Sequence, residues 1–180
     1  MAKSSLALLL AVVIGLAAPG MAYAARDTNS YDGNIFALYA GNGALVPPSL
    51  SLAAAMAAKK PILLAFYLDD SADCKRFAPL LSDLQGRWGK SVELIALPGD
   101  AVTVNPKAAA DDPSHYWSGV VPQLLVISSN GKVLFDGAGN MQELGIETAL
   151  AEATGKPIPA QPGGEDRRQQ SFNEVNSELG

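Results

Sequence analysis

The chain has 180 residues, 17% of them charged, and a formal charge of -5 at neutral pH, so it lacks the clustered cations that phosphate binding needs and no nucleic-acid partner is expected. Its single cysteine, Cys74, excludes an intrachain disulfide, and its single histidine, His115, excludes a histidine-rich metal site. With the two ends set aside, about 120 to 130 residues remain, the size of one domain with one core.

Residues 1–24 read as a signal peptide. Lys3 precedes an uncharged run from Leu6 to Ala18, Pro19-Gly20 breaks it, and Ala22-Tyr23-Ala24 has the small-x-small form of a cleavage site. An uncleaved anchor is the competing reading, because no charge appears between Leu6 and Ala25 and a membrane helix needs roughly 20 apolar residues. Residues 25–48 are turn-rich, with a short apolar island at Ile35 to Tyr39, and read as an irregular lead-in.

The folded domain is expected over 49–155. Ser49 or Ser51 offers a cap for an alanine-rich helix of two to three turns, which Lys59 and Lys60 suit at its negative end and Pro61 stops. Ile62 to Leu68 is a continuous apolar run of strand length, as in a strand buried on both faces. From Ser71 the period changes: Cys74, Phe77, Ala78, Leu81, Leu84 and Trp88 mark one face of a helix, with Pro79 inside it as a kink. Ser91 to Leu97 is a second strand, which makes a β-α-β unit and a parallel pair. A loop carrying Tyr116-Trp117 leads to Val121-Pro122. A hairpin turning at Ser129-Asn130-Gly131 and a helix over Met141 to Ala153 follow. Residues 156–180, rich in Pro, Gly, Gln and charge, read as a disordered tail.

This order resembles the thioredoxin fold over residues 49 to 154, which implies a three-layer α/β sandwich with a central mixed sheet flanked by helices. The resemblance rests on the strand ILLAFYLDD, on Cys74-Lys75 with Ala78-Pro79 one turn later, and on Val121-Pro122, where the family has a cis proline facing its active site. The family's Cys-x-x-Cys reads Ser71-Ala72-Asp73-Cys74 here. A serine hydroxyl without a dedicated base stays protonated near neutral pH and forms no stable mixed disulfide. The strand position where thioredoxins bury a proton-transferring aspartate is Ala65, and Asp70 stands where tryptophan often precedes the motif. Dithiol-disulfide oxidoreductase activity is therefore not expected.

Cys74 falls at the position of the more buried resolving thiol, among Asp69, Asp70 and Asp73, whose charge disfavours a thiolate. Three roles stay open for it: a packed core residue, a mixed disulfide with another protein or glutathione, and catalysis on its own. Ser71 reads as a helix cap before a catalytic hydroxyl, and the aspartates read as solvated carboxylates before a metal site, since they lack the ligand spacing of a calcium loop. Tyr116 and Trp117 are either a partner-binding patch or a lid over the core.

The leader, the stretch AGNGALVPPSLSLAAAMAAKKPILLAFYLDDSADCKRFAPLLSDLQGRWG and the segment DPSHYWSGVVPQ are similar to the cyanobacterial thylakoid membrane photosystem I accumulation factors. That resemblance implies a protein of the thylakoid lumen or the lumenal face of its membrane, with the periplasm as the alternative, that assists photosystem I biogenesis. A kept thioredoxin-like fold with a lost nucleophile reads as a non-enzymatic assembly factor, without a cofactor or metal, that holds client membrane-protein segments, photosystem I subunits among them. The expected groove is Val121, Pro122, Tyr116 and Trp117, and the N-terminal segment offers membrane association. A monothiol redox protein acting through Cys74 is the alternative.

Overall fold

The computed structural model describes residues 26–160. The signal peptide or anchor of 1–24 lies outside the described residues, as does the tail beyond residue 160, of which 156–160 is free of helix and strand.

Strand β1, Ile62–Tyr67, is buried at every position. It lies between β2, Glu93–Pro98, which runs parallel to it, and β3, Gln123–Ile127, which runs antiparallel. Strand β4, Val133–Ala138, pairs antiparallel with β3 at the edge, giving the order β2-β1-β3-β4. This is the mixed sheet of a thioredoxin-like fold.

Side chains alternate across the sheet, as strand geometry requires. Leu63, Ala65, Tyr67, Leu124 and Val126 enter one core cluster. Ile62, Leu64, Phe66, Leu125 and Ile127 enter the other. Helix α1, Ile35–Ala40, helix α3, Ala72–Trp88, and helix α4, Glu143–Thr154, cover the first face. Helix α2, Leu52–Ala57, and the loop bearing Trp117 cover the second. Three layers result.

Two sequence expectations need correction. The lead-in 25–48 is not irregular, because Asn34 caps α1 through its side chain and Ile35 and Phe36 are fully buried, Phe36 meeting Tyr67 edge-on at 4.8 Å. The apolar island is too short for a periodic signal, and only tertiary packing makes it a helix. Helix α2 is shorter than the two to three turns expected. Ser51 is its cap, and Lys59 takes a left-handed φ of 53° so that Lys60 N–H reaches back to Ala55 O at 3.1 Å. The helix must stop there because Pro61 disfavours helical backbone at the residue before it.

Candidate functional site

Helix α3 begins where β1 ends, so its first turn stands at the end of a central strand. Ser71 is the cap: its Oγ accepts from Cys74 N–H at 3.3 Å, which ties up the hydroxyl and satisfies one of the helix's orphan donors. The Sγ of Cys74 is fully buried and accepts from Leu68 N–H at 3.3 Å. Burial pushes the Cys74 thiol above its ordinary range, partly offset by that backbone hydrogen bond, and Asp73 and Asp70 push it further up. Ala65, also fully buried, offers no acid or base to the helix end. The constellation therefore lacks an exposed thiol, and Ala65 places no buried carboxylate beside it.

Beside it lies an open groove of about 230 Å³, lined by Asp73, Arg76, Phe77 and Leu80 of α3 and by Pro122 and Met141 across from them. Gly139 and Asn140 complete its rim. The Val121–Pro122 bond is cis, and Pro122 O accepts from Gly139 N–H at 2.8 Å. Among the described residues, neither the N–H nor the C=O of Val121 has a hydrogen-bond partner. The groove thus offers apolar walls and one Asp–Arg pair, and the unpaired main chain of Val121 precedes its lining residue Pro122.

Of the four residues expected to form this groove, Pro122 lines it and Val121 adjoins it through the cis bond. Trp117 packs in the cluster on the opposite face of the sheet, 4.9 Å from Phe66 between ring centroids. Gly99 makes room for it, since a Cβ there would lie 2.8 Å from Trp117 Cζ2. Tyr116 packs against the same cluster and donates its hydroxyl to Ala110 O at 2.8 Å. Both residues close the core beneath the loop. Their aromatic character pointed equally to a patch and a lid, and local sequence carries nothing about which face of the sheet a loop crosses.

His115 holds the same loop through Nδ1 and Ala108 O at 2.9 Å. Asp69 caps α1 by accepting from Ile35 N–H at 3.0 Å, and Asp73 pairs with Arg76. Among the described residues, no three His, Cys, Asp or Glu side chains are grouped to hold a metal ion.

Sequence reasoning missed a polar cluster on α3. Lys75 is fully buried and pairs with Asp32, while its Nζ also donates to Thr28 O at 3.1 Å and Ser30 Oγ at 3.3 Å. Tyr39 donates to Asp32 at 2.8 Å, and its ring lies 5.6 Å from Lys75 Nζ. Asn29 Oδ1 accepts from Ala72 N–H at 2.9 Å. These partners lie well outside α3 along the chain, Asn29 43 positions from Ala72 and Thr28 47 from Lys75, beyond any local signal.

No protein-family model matches the chain. It is 38% identical over 162 residues to the thylakoid membrane protein slr1796 of Synechocystis sp., a match that covers 89% of this chain and 79% of that protein. Among solved structures it is similar to the exposed lipoprotein thioredoxin Etrx1 of Streptococcus pneumoniae, with a TM-score of 0.40 and 18% identity over 54% of this chain and 89% of that one.

Proposed function

Because the chain belongs to the thioredoxin-like family of the Synechocystis thylakoid membrane protein slr1796, we propose that it is a non-enzymatic factor that assists photosystem I accumulation at the thylakoid membrane by holding client segments. The observation that carries this reading is the unpaired main chain of Val121 beside the open Pro122 groove, next to a thiol that is fully buried. An extended segment can pair its backbone with Val121 and rest apolar side chains on Phe77, Leu80 and Met141, and that mode of recognition needs no thiol. The burial of Cys74 favours this over the monothiol alternative, which requires an accessible thiolate. The place of action in this proposal is the lumen or the lumenal face of the membrane. No helix among the described residues is long and apolar enough to cross a membrane.

The test sets a groove variant against a thiol variant in the cell. Asn140 is exposed and lines the groove, so Asn140→Trp fills the groove at little cost to folding. Photosystem I content should fall in Asn140→Trp and stay normal in Cys74→Ala. Loss in Cys74→Ala with normal content in Asn140→Trp would overturn the proposal.

A further inference from the structure

Residues 26–32 cross the first turn of α3, and almost everything that holds them there is polar. Asn29 accepts from Ala72 N–H, Thr28, Ser30 and Asp32 accept from Lys75, and Asp27 accepts from Arg76 at 3.0 Å. Arg26 adds a donor to Arg76 O at 3.4 Å. Apolar anchoring is missing from the segment: Tyr31 is 74% exposed, and burial begins only at Ile35 and Phe36. Between the two parts stands Gly33 with φ 122°, a backbone conformation that side chains disfavour and a natural joint. Segments with few buried apolar contacts open locally at far lower free energy than the core unfolds.

One gripped residue, Arg76, also lines the groove. Its guanidinium is shared between Asp73 on its own helix and Asp27 on the crossing segment. We propose that residues 26–32 are a polar latch that swings about Gly33 while the rest of the domain stays folded, and that its opening releases the groove-lining Arg76 from Asp27. The importance of the groove rests on the client-binding reading above, whereas the latch itself does not. Opened, the latch takes Asp27 away from Arg76 and leaves Asp73 as the carboxylate that pairs with it at the groove wall.

Lys75→Met tests this in the full chain, because methionine fills the buried volume but donates nothing to Thr28, Ser30 or Asp32. Asp32→Asn is the second variant and keeps the lysine. The readouts are native-state hydrogen exchange at the Ala72 and Leu64 amides, and phenylglyoxal labelling of Arg76 and Arg87 resolved by mass spectrometry. No client is needed, so failure here is distinct from failure of the client-binding reading. Ala72 exchange should rise roughly tenfold or more, the scale of a lost charged hydrogen bond, while Leu64 in β1 is unchanged. Labelling should rise at Arg76 and not at Arg87, which the α3–α4 ion pairs enclose. Equal acceleration at Ala72 and Leu64 in both variants, no change at Ala72, or unchanged labelling at Arg76 would overturn the proposal.

Discussion

Leu68 N–H donates to Cys74 Sγ at 3.3 Å, so the thiol is tied to the end of β1, fully buried and not among the residues that line the groove. The sulfur therefore behaves as a small packed side chain. Cys74→Ala should leave the fold intact and cost about 1 kcal/mol, the scale for one buried methyl-sized group. Urea unfolding measures it, and a loss of folding would show that the sulfur does more than fill space.

The same burial sets a dependence on pH. Burial raises the Cys74 thiol above its usual value of 9.0. Burial first, then Asp69 and Asp100, pushes the Tyr67 phenol up to about 12. Both groups are neutral when protonated, and with rising pH the unfolded chain releases these protons before the folded one. Their contribution is therefore complete below the ordinary thiol and phenol ranges and is lost as pH rises through the folded values. The urea midpoint should fall above about pH 9, and Tyr67→Phe should lessen the fall. A midpoint that rises with alkali would contradict the assignment.

Trp117 is 8% exposed and packs on Phe66, so its weight should appear in stability. Trp117→Ala is expected to cost about 3–5 kcal/mol, and Tyr116→Ala, half-buried at the rim, considerably less. Denaturant titration of both variants checks the order. A neutral Trp117→Ala would return this residue to the surface role that its loop position suggested.

Lys59 holds a left-handed conformation to end α2. That conformation disfavours L side chains by roughly 1–2 kcal/mol, whereas glycine adopts it without the Cβ penalty. Lys59→Gly should therefore raise stability by up to about 1 kcal/mol after the added backbone entropy of the unfolded chain is counted, read as a shift of the urea midpoint at constant slope.

Much of this molecule was legible in its residues because the decisive signals are local. The apolar run of β1, the three-four spacing along α3, Ser71 as its cap and the turn at Ser129-Asn130-Gly131 all state their structure within a few positions. The missing nucleophile was legible for the same reason, since it is one substitution at a known place in a motif. What stayed hidden depends on distance. Ile35 and Phe36 form a helix only because α3 and Tyr67 receive them, and Lys75 tolerates full burial only because Thr28, Ser30 and Asp32 return to it across the fold. The Trp117 loop crosses to the far face of the sheet, a choice made by Gly99 and Phe66 together.

The proposed action without thiol chemistry is tested most directly by the alkylation rate of Cys74 in the native protein at neutral pH, set against the denatured chain. Strong protection in the folded state, lifted by denaturant, is the predicted result. Rapid native labelling, with a thiolate already present near neutral pH, would contradict it and return Cys74 to the centre of the mechanism.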